Sequence, residues 1–125
     1  MRRLVYISTR SLAFDDNAVV QACEKFAALN EATRISGILL YGELNFLQVI
    51  EGPSDEIGSL FERIKADSRH SGVVKTSDET VVERCFDSWG MRATQIFLGR
   101  REALEFVSDR VPAPLAEQLR NFASL

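Results

Sequence analysis

Cysteine, histidine and tryptophan are scarce in this chain: two, one and one among 125 residues. The two cysteines, Cys23 and Cys85, match no metal or redox spacing, and a disulfide scaffold needs more of them. They read as reduced thiols in a cytoplasmic protein. A single histidine, His70, excludes a multi-histidine metal centre. No Lys/Arg-rich run occurs and the net charge is -3, so the electrostatic footprint of a nucleic-acid binder is missing. Long apolar runs are missing too. The one that follows Met1-Arg2-Arg3 breaks at Ser8-Thr9-Arg10, too short for a signal core or a membrane span. No repeat, linker or low-complexity segment interrupts the chain. What remains is 46% hydrophobic, enough for one compact domain with a single core.

The stretch Phe46-Leu47-Gln48-Val49-Ile50-Glu51-Gly52-Pro53 is the most informative. Its first residues read as a strand, with Phe46, Gln48 and Ile50 on one face and Leu47 and Val49 on the other. Both faces are apolar, as in a strand covered on each side. An amide buried there costs about 1–3 kcal/mol if it finds no partner. Gln48 therefore bonds either to a neighbouring backbone or hydroxyl group, or to something held in a pocket.

Around it the elements follow in order. Leu4 to Thr9 is strand-like, with Leu4, Tyr6 and Ser8 facing one way. Asp15, Asp16 and Asn17 start a helix that runs to about Thr33, with Val19, Cys23, Phe26 and Asn30 along one stripe. Asn30 is either a helix C-cap or a polar extension of that buried face. Ile35–Tyr41 and Phe46–Glu51 form two strands joined by the Gly42-Glu43-Leu44-Asn45 turn. Ser54 is the expected N-cap of a second helix whose buried stripe is Ile57, Leu60, Phe61 and Ile64. Arg63, Asp67 and His70 are spaced to line one edge of it, as an ion-paired solvated row or as the rim of a site, with His70 capping the helix end. Val73–Lys75 and Thr80–Phe86 read as strands split by a polar turn at Thr76–Glu79, and Ser88–Ile96 as a last strand. Beyond residue 100 two amphipathic pieces, carrying Leu104, Phe106 and Val107, then Leu115, Leu119 and Phe122, are expected to cover the open sheet face. The order predicts an α+β, ferredoxin-like βαββαββ sheet with two helices on one face and a C-terminal helical extension.

In such a fold the first and third strands are neighbours at the sheet centre. Tyr6 and Gln48 then point side by side toward the helices, with Asn30 above and Arg63 at the mouth. Apolar walls with a few convergent polar groups describe a small-molecule pocket.

Five pieces carry a family resemblance over residues 3 to about 95. They are Leu4-Val5-Tyr6-Ile7-Ser8, Asn30 with Arg34–Tyr41, the stretch FLQVIEGP, RIKADSRH from Arg63 to His70, and RCFDSWGM with Arg84, Phe86, Trp89 and Met91. Together, in order and with compatible spacings, they resemble the BLUF family of flavin-binding blue-light sensors. The resemblance implies a flavin-binding domain over residues 1–97 and an extension over 98–125. It implies FAD as cofactor, with FMN or riboflavin possible. By the same resemblance Tyr6 is the phenol that gives an electron to the excited flavin, and Gln48 is the amide between that phenol and the ring. An amide suits the role because it has both a donor and an acceptor end. Asn30 would hold the ring's carbonyl and N–H edge, while Arg63 and Asp67 sit near the rim. Trp89 and Met91 match the family pair whose placement beside Gln48 stays open; lying two residues apart, they exchange if their strand slides by two. Leu29, where relatives often have a second polar residue, and Ser36 for the usual Thr depart from the pattern.

No enzymatic activity is expected. An acylphosphatase-like enzyme on the same fold lacks its Gly-rich phosphate cradle at Ser8 to Asp16. A flavin-free interaction module is the alternative, opposed by the complete set of Tyr6, Asn30 and Gln48. With about thirty residues after position 95, output is expected through a homo-oligomer or an unidentified downstream protein, without nucleic acid or membrane.

Overall fold

The computed structural model describes residues 1–86, 91–95 and 111–123, without the side chains of residues 27, 30, 31, 91–95 and 123. Five strands form one sheet: β1 (Arg2–Arg10), β2 (Ser36–Tyr41), β3 (Asn45–Gly52), β4 (His70–Thr80) and β5 (Met91–Gln95). Among the described residues three helices accompany it: α1 (Asp16–Thr33), α2 (Ser54–Lys65) and α3 (Ala113–Ala123). The strand order is β4-β1-β3-β2-β5, with β5 parallel to β2 and every other pair antiparallel. The α+β, ferredoxin-like fold expected of the sequence is the one observed.

β3 is central and lies between two apolar layers. Leu4, Tyr6, Ile35 and Ile50 meet Ile57 and Phe61 of α2 on one face. On the other face Val5, Ile38, Leu47 and Val49 meet Leu115, Leu119 and Phe122 of α3. Period-two alternation in β1 and β3 thus feeds two cores at once. The second half of the C-terminal extension covers the sheet as its stripe suggested; Leu104, Phe106 and Val107 lie outside the described residues. Leu119 is 1% exposed, so Leu119→Ala should cost about 2–4 kcal/mol through lost burial and a residual cavity. Urea unfolding measures this, and a loss under about 1 kcal/mol would show that α3 adds little to the core.

Three local expectations need correction. The expected turn at Thr76–Glu79 lies inside β4, which runs unbroken from His70 to Thr80. Its polar side chains mark an exposed edge strand, and its backbone is satisfied by β1, where Arg3 pairs with Glu79, Leu4 with Asp78 and Val5 with Ser77. The Thr80–Phe86 strand is accordingly absent, and residues 81–86 are irregular. At α2 the N-cap is Pro53, with no side-chain cap, and Ser54 is already helical; proline's fixed φ favours the helix entry. Finally, α2 stops at Lys65, so Arg63, Asp67 and His70 do not share a helical edge, and His70 opens β4.

Candidate functional site

β1 and β3 pair in a register that sets Tyr6 directly opposite Gln48. Cross-strand partners have Cβ atoms about 5 Å apart on the same face, so both side chains rise together toward α1 and α2. The Tyr6 hydroxyl donates to Oε1 of Gln48 in a buried hydrogen bond. Burial holds the Tyr6 hydroxyl's pKa well above the ordinary phenol value, because a phenolate there would be desolvated. Tyr6 therefore stays a proton donor at neutral pH. That orientation makes Oε1 the accepting end of the amide and leaves its NH2 to donate elsewhere.

Above this pair a cavity of about 260 Å³ opens between α1 and α2. Val19, Cys23, Phe26, Leu39 and Phe46 supply apolar wall, and Arg63, Asp67, Arg69 and His70 supply its polar part. Leu39 lies opposite Gln48 on the other side of β3. Burial raises the Cys23 thiol to about 11, so it is an uncharged wall group rather than a nucleophile. His70 braces the floor. Its Nε2 donates to the Ile64 carbonyl at 2.6 Å, and its Nδ1 shares a hydrogen bond of 2.8 Å with the Ser8 hydroxyl. The ring also meets Tyr6 edge-on, with centroids 6.0 Å apart.

Arg69 is the residue that sequence reasoning passed over. Its Nε lies 2.9 Å from Oδ1 of Asp67, and its guanidinium sits 5.1 Å from the Phe26 ring centre and 5.5 Å from Phe14. The Asp67 carboxylate, bonded by that side chain and by the Arg69 backbone N–H, is held below the usual aspartate range. Because the folded value is depressed, its stabilising contribution is complete above the ordinary aspartate pKa. It is lost as pH falls through the lowered value. Asp67→Asn should flatten the fall of the urea midpoint below about pH 4; parallel curves for wild type and variant would remove Asp67 as a contributor.

Among the sequence-selected residues, Tyr6, Gln48, Arg63 and Asp67 line the one cavity, with Arg63 exposed at its rim. The Asn30 side chain and all of Trp89 lie outside the described residues. Met91 begins β5, where its backbone pairs with Gly37, while Ala93 pairs with Leu39 in the row of Gln48. Among the described residues there is no cluster of metal-ligating side chains and no helix long and apolar enough to cross a membrane.

A deep apolar slot with an amide–phenol pair at its base and cations at its rim fits a planar heteroaromatic ring with a polar tail. Known proteins agree. The family described as sensors of blue-light using FAD, BLUF, matches residues 1–92. Photoactivated adenylate cyclase subunit alpha of Euglena gracilis is 33% identical over 98 residues, 77% of this chain and 10% of that protein. The blue light- and temperature-regulated antirepressor BluF of Escherichia coli is 29% identical over 105 residues, 81% of this chain and 26% of that protein. The chain thus spans a small part of these relatives. Among solved structures, the BLUF protein BlrB in its dark state superposes with a TM-score of 0.75 at 32% identity, covering 98% of this chain and 95% of that one. Klebsiella pneumoniae BlrP1 with FMN and cyclic diGMP superposes with a TM-score of 0.87 at 28% identity, covering 98% and 34%. Fold, cavity and sequence lead to one conclusion: the chain belongs to the BLUF family of blue-light sensors that use FAD.

Proposed function

We propose that this chain reports blue light through a hydrogen-bond switch made by Tyr6 and Gln48 and passes the signal on by protein–protein contact. The observation that carries the reading is the buried Tyr6–Gln48 bond at the base of the cavity. When bound, the flavin supplies the absorption of blue light and the accompanying redox chemistry. Tyr6 holds a proton on a phenol that burial keeps neutral. Gln48 is planar and two-ended, so rotating or tautomerising its amide exchanges donor for acceptor without moving β3. Asn30, Arg63 and Asp67 complete the set assigned to the cofactor, Arg63 by offering charge at the rim to the ribityl or phosphate portion. FMN, present in the BlrP1 structure, has the same ring and is compatible with this cavity.

Trp89 and Met91 are the proposed relay. Met91 lies two residues from the β5 position in the row of Gln48, so a two-residue slide of β5 would bring it level. Such a strand is a two-state element that a local change of hydrogen bonding can bias. We assign residues 1–97 to the sensor and 98–125 to the extension. Output through self-association or a separate protein, with the α3-covered face or the extension as contact, and a cytoplasmic location suited to reduced Cys23 and Cys85 complete the proposal.

The test is the visible spectrum of the purified protein before and after blue light. Flavin absorption with a shift to longer wavelength that reverses in darkness is expected. Colourless protein, or a pigment that light leaves unchanged, would defeat the reading.

A further inference from the structure

The switch reading gives no part to the most deeply buried charge among the described residues. Glu51, at the end of β3, is 0% exposed, and its β1 partner Arg3 is 4% exposed. Arg3 Nε donates to Oε2 of Glu51 at 3.1 Å, and its Nη2 reaches the Glu83 carbonyl and Cys85 Sγ. The other carboxylate oxygen, Oε1, accepts the Phe86 backbone N–H at 2.6 Å. Arg84 adds bonds to the Ser36 hydroxyl, the Glu51 carbonyl and the Arg34 carbonyl. Apart from the Arg3–Glu51 pair itself, each of these contacts grips residues 83–86.

That segment has a particular task. The chain leaves β4 at one edge of the sheet and re-enters as β5 at the other. With four inter-strand spacings of about 4.8 Å, the crossing covers about 19 Å. β5 then pairs only with β2 in the described sheet, over five residues and in parallel. So short a ladder on one side pins register weakly, and the point where the crossover is tied must help to set it. Glu51 ties it, three residues along β3 from Gln48. Stability alone is a poor reason for the arrangement, because apolar side chains of similar volume serve a buried site as well as an ion pair does.

We propose that Glu51 is a positioning residue: through Arg3 and the Phe86 amide it fixes the register of β5 against β2, and thereby sets how fast the light-induced state at Gln48 reverts. This rests on the switch reading of Gln48. Glu51→Gln preserves shape but turns an amide NH2 toward groups that are themselves donors. In the flavin-loaded protein we expect amide exchange across residues 91–95 to quicken roughly tenfold with α1 and α2 unchanged. The light-induced shift should keep its amplitude while dark recovery changes by about threefold or more. Unchanged exchange in 91–95 overturns the proposal, and so does faster exchange with unchanged recovery. Failure of the switch reading looks different, since the wild type would then show no shift at all. Should Glu51→Gln not fold, Arg84→Met loosens the same crossover from Ser36 and Arg34, and the same two readouts decide.

Discussion

Gln48→Leu is expected to yield a protein that still binds flavin but no longer changes colour in blue light. Leucine has nearly the volume of glutamine, so the cavity floor stays filled and the apolar walls of Val19, Phe26, Leu39 and Phe46 are untouched. What disappears is the two-ended amide. The Tyr6 hydroxyl, which donates to Oε1 of Gln48, loses that acceptor at a site where burial keeps it neutral. Leaving a buried hydroxyl short of a partner costs about 1–3 kcal/mol, a loss that most domains of this size survive. The light-minus-dark difference spectrum should fall to baseline while flavin and protein co-elute near their wild-type ratio. A reversible shift of wild-type size in this variant would end the switch role of Gln48. Loss of flavin altogether would instead make Gln48 an anchor for the ring.

How much of this was legible beforehand depended on whether a residue's environment is local. Gln48 announced itself as an amide inside an apolar strand, and its neighbours in the chain were enough to show the conflict. Tyr6 followed because βαββ order makes the first and third strands adjacent, and the observed register bears that out. Where the partner is remote or depends on an element's end, the sequence is silent. Arg69 joins the cavity only because α2 stops at Lys65, which lets Asp67 reach forward two residues instead of lying along a helix. Glu51 reads as the polar end of a strand, yet its partner Arg3 is 48 residues away. The polar run Thr76–Glu79 imitates a turn because an edge strand facing water and a loop have the same composition. Its identity is settled by β1, which pairs with Ser77, Asp78 and Glu79 and passes Thr76 at a register shift.

Gly37→Ala should be the most damaging single-methyl change in the fold. Gly37 lies in β2 between Ile50 of β3 and Met91 of β5. A Cβ there would stand 1.9 Å from the Val49 carbonyl oxygen and 3.0 Å from its carbon. Both are backbone atoms, so no side-chain rotation relieves the clash. Relief requires β2 and β3 to part beside the strand that carries Gln48. Overpacking of this severity costs about 3 kcal/mol or more, a large share of the roughly 5–15 kcal/mol that holds a domain together. Gly58→Ala supplies the contrast. In the interior of α2, the new methyl meets only the tip of the Arg2 side chain, at 3.3 Å, and alanine's helix propensity is better by about 0.8–1 kcal/mol. Urea unfolding should therefore move in opposite directions: Gly58→Ala at or slightly above wild type, Gly37→Ala far below it or already unfolded without denaturant. A Gly37→Ala protein within about 1 kcal/mol of wild type would mean that β2 and β3 are not packed at the separation described, and the placement of Gln48 opposite Leu39 would have to be abandoned with it.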